Sequence, residues 1–355
     1  MYTRQILEQP GSFVKNKRPV FGTFAGHPKR LDIRGVYKPY GTVPIPTLIT
    51  NLRIKSRLSF YFMIGEYAGS ISFVDAKVFG FAEVVFWNTA TKQKFVYRSV
   101  MGPRKRFVPH GLETASTSSY KKSRYIRISW DRRHDKLSVI FNLHGDSVRP
   151  SANAALVAAF SDKSFAELTT VLPAPTLRRC SGIYNAAMSL HGAITLIPGH
   201  GAIRTMSDAD GLAFMNMHRT YMKFRSHGET ITAMGTVAGK KVSFRIESGS
   251  QNSVNRELYN ANVLFCDGTV TPLPPVLMTH SYGISNKWII QDTENMVDLT
   301  FTPVSENLSK ISIFILRTVY HTIFGTLEGT IMTAAGEKIS FRSMTAIAEN
   351  YLIRL

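Results

Sequence analysis

Cysteine is scarce in this chain: 355 residues contain only Cys180 and Cys266. They lie in different halves, and neither has a second cysteine or a histidine at metal-ligand spacing. That excludes a disulfide-stapled scaffold and leaves a metal site, zinc included, without support. Two buried thiols in a reducing compartment are expected. Long hydrophobic runs are also missing. Ile311 to Leu316, among the longest, is far too short for a membrane-spanning helix, and Arg317 follows it. Residues 1 to 10 are polar, and Lys15, Lys17 and Arg18 precede any apolar stretch. No secretory segment is read, and a cytoplasmic protein is expected, with peripheral contact to the inner membrane surface as an option. Helical signal is thin: the best candidate, Ser151 to Ser164, is alanine-rich after Pro150 and reads equally as a strand and connection. No serine sits in a nucleophile elbow, and no cofactor is implied.

Strand periodicity fills the space these absences leave. Arg57 to Ile64 and Tyr125 to Trp130 alternate with period two. Similar short runs recur at 70–78, 81–87, 94–100, 137–143, 193–197, 230–237, 241–246, 262–266, 269–273, 287–290, 297–301, 311–316, 325–330 and 338–341. Asp267-Gly268 is a strong two-residue hairpin signal, and looser hairpins are read at 88–92, 238–240 and 335–337. Many short strands punctuated by turn residues predict an all-β fold of barrel or sandwich type. With 44% hydrophobic residues the chain can bury a core, and its length favours two domains. The two halves share a loose echo of long strands followed by an aromatic-rich hairpin. Val171 to Thr176, with two prolines, is the linker candidate. The expected division is a tail over 1–20, a first barrel over 21–185 and a second over 186–355.

Charge distinguishes the halves. The formal net charge is +19. Residues 1–185 hold 29 basic and 11 acidic residues, a net +18, and the remainder holds 14 and 13, a net +1. Arg104, Lys105, Arg106, Lys121, Lys122, Arg124, Arg132 and Arg133 concentrate in one stretch and predict a positive surface. Its candidate partners are an anionic membrane surface, a nucleic-acid backbone approached through basic and aromatic residues together, or an acidic protein. No recognised nucleic-acid module accompanies the charge, so the nucleic-acid option ranks behind the membrane.

Several clusters in order resemble a bacterial family, the domain of unknown function numbered 2804, which is related to the double-lipocalin proteins AttH and hydroxyneurosporene synthase. They are Lys55 to Trp87, His191-Gly192, Asn262 to Gly268, Trp288 to Ile290, Asp298 to Pro303, His321 with Phe324 to Gly329, Gly336-Glu337 and Ala348-Glu349. The resemblance implies two tandem antiparallel lipocalin-like (calycin) β-barrels packed together, with cavities of the kind calycins use for lipids and isoprenoids. Departures from the family pattern fall at Gly211, Tyr221 and Phe224, where tryptophans are usual, at Ala261 in place of Glu, and at Leu355 in place of Trp.

Related proteins include a carotenoid hydratase, so chemistry on isoprenoids is one implied option. Protonating an alkene needs a neutral carboxylic acid in an apolar cavity. The resemblance points to Asp210 and Glu349, against the plainer reading of a turn cap and an arginine partner. Arg149, Arg178 and Arg179 are candidates for an anionic head group. His191, Arg219, Asn262 and His321 are candidate polar groups of a pocket. The expectation is a binder of a hydrophobic small molecule, lipid or isoprenoid, associated with anionic membranes through its basic domain. An acid-catalysed hydratase or cyclase and a nucleic-acid or acidic-protein binder are the alternatives.

Overall fold

The computed structural model describes residues 2–41, 45–77, 79–102, 107–199, 201–249, 255–313 and 316–354. In chain order the elements are β1 (Ile6–Leu7), β2 (Val14–Lys15), β3 (Arg18–Pro19), β4 (Gly22–Ala25), α1 (Thr47–Leu52), β5 (Ile54–Ile64), β6 (Tyr67–Asp75), β7 (Gly80–Asn88), β8 (Lys94–Met101), β9 (Thr114–Lys121), β10 (Arg124–Asp131), β11 (Lys136–Leu143), β12 (Ser151–Ala158) and β13 (Ala166–Pro173). They continue with β14 (Cys180–Ile197), β15 (Arg204–Tyr221), β16 (Arg225–Val237), β17 (Lys240–Gly249), β18 (Val263–Cys266), β19 (Thr269–Pro272), β20 (Leu277–His280), β21 (Trp288–Gln291), β22 (Val297–Ile313), β23 (Leu316–Met332) and β24 (Lys338–Arg354).

The first sheet runs β8-β7-β6-β5-β15-β14-β12-β11-β10-β9, and the contact of β8 with β9 nearly closes it into a barrel. β13 pairs with β14 and with β4, which carries β1. The second sheet runs β19-β18-β17-β16-β24-β23-β22-β21-β20. The fold is therefore almost all-β, as the alternation predicts, and a nearly closed antiparallel barrel packed with an antiparallel half-barrel fits the two packed barrels that the resemblance implies.

Three expectations about boundaries are corrected. The 185/186 division falls inside β14, and the sheets change over between Tyr221 and Arg225. Val171 to Thr176 is not an interdomain linker, because Val171 to Pro173 end β13 and the chain returns into β14 of the same sheet. Of the strand read over 311–316, 311–313 end β22 and 316 begins β23, while 314–315 lie outside the described residues. Ser151 to Ala158 is a strand: its small residues let Ala152, Ala154, Leu156 and Ala158 pack inward while the alternate positions face outward.

Both lumens are packed with side chains. Leu58, Phe60, Phe62, Phe86, Phe141 and Leu156 fill the first, with Phe86 stacked on Phe95 at 5.0 Å between centroids. Phe244, Trp288, Phe301 and Leu327 fill the second. Cys180 and Cys266 are buried, one in each core, and carry no disulfide. A third apolar cluster joins the barrels, where Tyr61, Trp87 and Phe214 of the first meet Phe265, Phe324 and Ile347 of the second. Trp87 stacks on Phe324 at 5.5 Å, a contact worth about 0.5–1.5 kcal/mol beyond burial. Among the described residues no helix is long and apolar enough to cross a membrane.

The two barrels echo each other at one backbone detail. Leu190-His-Gly192 and Leu327-Glu-Gly329 each form a register shift in a long strand pairing. Both glycines have φ near +135°, at 137° and 131°, and a Cβ would strike the carbonyl of Ala155 at 2.2 Å or of Asp298 at 2.1 Å. Only glycine fits such a bulge.

Candidate functional site

Strand register brings the candidate site together. On the outer face of the first barrel, His218, Arg57, Val74 and Phe81 stand opposite one another across β15, β5, β6 and β7. On the second barrel, Glu247, Thr230, Glu349 and Thr322 form a row across β17, β16, β24 and β23. Cross-strand partners share a face, so each row presents its side chains to the same side. The rows meet where Arg57 donates to Glu349, Nη2 to Oε1 at 2.6 Å and Nη1 to Oε2 at 3.2 Å.

Between the barrels lies a cavity of about 150 Å³, room for roughly one aromatic ring. One wall is apolar, made by Val74, Ala76, Phe79 and Phe81 against Ile311 and Ile353. The other is polar. Arg57 also donates to Ser72 and lies 4.4 Å from the Tyr320 ring centroid. Arg245 donates to the Tyr61 hydroxyl at 3.1 Å and to Thr232 at 2.6 Å, and reaches Glu349 at 3.9 Å. Glu349, only 1% exposed, accepts further bonds from Thr230 and Tyr320.

Several cavity-lining groups are left with chemistry to offer. Burial raises the pKa of Glu247 against the opposing charges of Arg245 and Arg4, and no described residue bonds to its carboxyl. Burial, then the charges of Arg245 and Arg57, lowers His218 to about 3, and its Nε2 is buried without a hydrogen-bond partner. Burial likewise pushes the Tyr351 hydroxyl far up, and its ring stacks on Tyr320 at 5.5 Å. At the edge, burial and then neighbouring Lys77 lower Lys55 to about 8.

The residues read from sequence are scattered. Of the two acid candidates, Glu349 stands at the cavity, paired with Arg57 and 3.9 Å from Arg245, as in the plainer reading of an arginine partner. Asp210 is exposed, with its amide bonded to the Asp208 carboxylate. His191 is exposed at the β14 bulge. Arg149 pairs with Asp146 in a turn of the first barrel, and His321 pairs with Glu306. Arg219 is buried, and burial lowers its pKa to about 10; it donates to Ser56 and to the carbonyls of Val108 and Pro109, so it pins a loop. Asn262 is buried and acts indirectly: its side-chain oxygen accepts the Glu247 amide at 2.9 Å while its nitrogen donates to Pro274. Arg178 and Arg179 line a separate depression.

The expected basic surface is thinner than its sequence. Lys121, Lys122 and Arg133 are exposed. Arg132 instead turns inward to Glu167 at 2.5 Å and the Tyr184 hydroxyl at 2.7 Å, because that buried carboxylate needs a counter-charge. Arg124 is half-buried and donates to the Arg98 carbonyl. Arg104, Lys105 and Arg106 lie outside the described residues.

Sequence reasoning missed His218, Arg245, Glu247, Tyr320 and Tyr351. The available signal was Lys241 to Glu247, where Arg245 and Glu247 alternate with Phe244 and Ile246. A strand with charges on one face reads as solvated unless a second barrel is known to cover it.

A model of the family described as Domain of unknown function (DUF2804) matches residues 38–355. Among solved structures, CghA with Sch210972 is similar over 95% of this chain and 99% of its own, at 12% identity and a TM-score of 0.51. Kievitone hydratase from Nectria haematococca is similar over 84% and 88%, at 12% identity and a TM-score of 0.42. At such identity the likeness to CghA shows the fold alone. No curated protein matches the chain.

Proposed function

The chain belongs to the DUF2804 family, and we propose that it binds a hydrophobic small molecule with a polar end in the cavity between its barrels. One observation carries this reading: an apolar wall around Phe79 and Phe81 faces a polar wall around Arg57, Arg245 and Glu247 across ring-sized space. An amphipathic ligand satisfies both, since small-molecule sites are mostly apolar with a few placed polar groups. The packing of both lumens supports this choice of site. The exposed Lys121 and Lys122 add attraction to anionic lipid, so ligand exchange with a membrane is part of the proposal. Native mass spectrometry of protein purified from its own host, with organic extraction, tests it. A released lipid, isoprenoid or other apolar molecule supports the reading; an empty chain that also fails to take up such compounds overturns it.

Glu247 and His218 favour a second reading, in which the bound molecule is also transformed. A carboxyl whose pKa burial raises is suited to donate a proton, and a neutral imidazole accepts one. Hydration or cyclisation of an alkene is the matching reaction class. Glu247→Gln would then abolish turnover of a ligand that it still binds.

A further inference from the structure

Away from the cavity, a second depression gathers arginines and aromatic rings, with no acid among its described lining residues. It measures about 1020 Å³ and is lined by Pro39 to Gly41, residues 173 and 175–179, Phe224, Asn255 and Tyr259. Behind it, Arg53 lies between two rings, 4.3 Å from the Tyr40 centroid and 4.0 Å from that of Phe224. Arg179 is 5.1 Å from the Tyr40 centroid. Stacking fixes guanidinium planes without consuming their N–H donors.

Those donors are sparingly used. The Arg53 guanidinium donates to the Met222 carbonyl at 3.3 Å. The Nε of Arg179 is buried with no hydrogen-bond partner, and Arg178 is exposed at the rim. Among the described residues no carboxylate lines the depression. Burial lowers the pKa of Arg179, with Arg53 adding to the effect and Tyr40 opposing it; burial, then Arg179, lowers that of Lys223. Cations crowded in this way are relieved by an anion. Beside them Phe224 and Leu177 are 68% and 67% exposed, offering a face on which a ring can stack.

We infer that this depression is a second binding site, for a small aromatic anion whose ring packs on Phe224 and Leu177 and whose carboxylate or phosphate accepts hydrogen bonds from Arg178 and Arg179. Guanidinium groups suit both anions, because their planar fork matches two acceptor oxygens. The site is independent of the interbarrel ligand, although Met222 touches both: it lines the cavity, and its carbonyl accepts from Arg53 and the Tyr40 hydroxyl.

Calorimetric titration of the full chain tests the inference with phenyl phosphate and benzoate, set against inorganic phosphate and benzyl alcohol. At least one aromatic anion is expected to bind about tenfold or more tightly than both controls, and the tighter of the two identifies the preferred head group. Arg179→Gln, Arg178→Gln and Phe224→Ala should each weaken that binding about tenfold, whereas exposed Lys287→Gln, which removes an equal charge elsewhere, should leave it unchanged. The inference is overturned if benzyl alcohol binds as well as the anions, if Arg179→Gln acts no more strongly than Lys287→Gln, or if neither anion binds at millimolar concentration.

Discussion

Arg57 of the first barrel and Glu349 of the second form a two-pronged ion pair across the interface, with N–O distances of 2.6 and 3.2 Å. Glu349 is almost wholly buried, so taking its charge from water costs energy that the arginine offsets. Removing only the arginine strands a buried carboxylate with the more distant Arg245. Arg57→Met is therefore expected to lower stability in urea unfolding by about 3–5 kcal/mol. Replacing both partners, Arg57→Met with Glu349→Leu, should recover most of the loss. A double variant no more stable than the single one would show that charge desolvation is not what the pair balances.

Acid stability follows from His218. Its folded pKa, about 3, lies below the unfolded value near 6.5, so the unfolded chain binds the proton first. Its contribution is fully present above about pH 6.5 and is lost as the pH falls toward about 3, at up to ~1.4 kcal/mol per pH unit. His110, lowered to about 4 by burial and then by Arg219, acts in the same direction. Unfolding midpoints between pH 7 and pH 4 should fall less steeply in His218→Asn than in the wild type, and equal slopes would refute this assignment.

Core packing gives a third expectation. Phe86 is fully buried in the first lumen, with Phe95, Tyr97 and Phe141 stacked around it. Phe86→Ala should cost about 3–5 kcal/mol in denaturant unfolding, because the surrounding rings cannot collapse into the space. A loss below about 1 kcal/mol would mean the lumen adapts and is not tightly packed.

Much of the fold was legible because strands signal themselves locally. Tyr125 to Trp130 alternates since one side meets the lumen and the other solvent. Phe81 to Trp87 is buried on both sides, by the lumen and by the second barrel, so its alternation is lost and its partner is invisible in sequence. The boundary error at 185/186 has the same origin: charge changes where residues are exposed, whereas β14 and β15 continue the first sheet through Tyr221. Glu349 came from a resemblance, and its arginine partner sits 292 positions away. No local pattern could announce that pairing, and Glu247 and His218 were hidden for the same reason.

The exposed lysines separate surface charge from structural charge. Lys121→Gln with Lys122→Gln should weaken flotation with phosphatidylserine vesicles by about 2 kcal/mol at low salt and leave unfolding unchanged. Arg132→Gln should do the reverse and lower stability, because Glu167 and Tyr184 lose their buried partner. Equal flotation of the double variant and the wild type would remove the membrane from the proposal.

Whether a ligand occupies the space between the barrels is tested most directly by filling that space. Calorimetric titration with p-cresol, a single ring with one polar end, would compare the wild type with Ala76→Trp, which places an indole against the apolar wall, and with Val139→Ala in the first lumen. Saturable binding by the wild type, weakened about tenfold or more by Ala76→Trp and unchanged by Val139→Ala, is the expected result. Undiminished binding by a folded Ala76→Trp chain would contradict the account and place the ligand elsewhere.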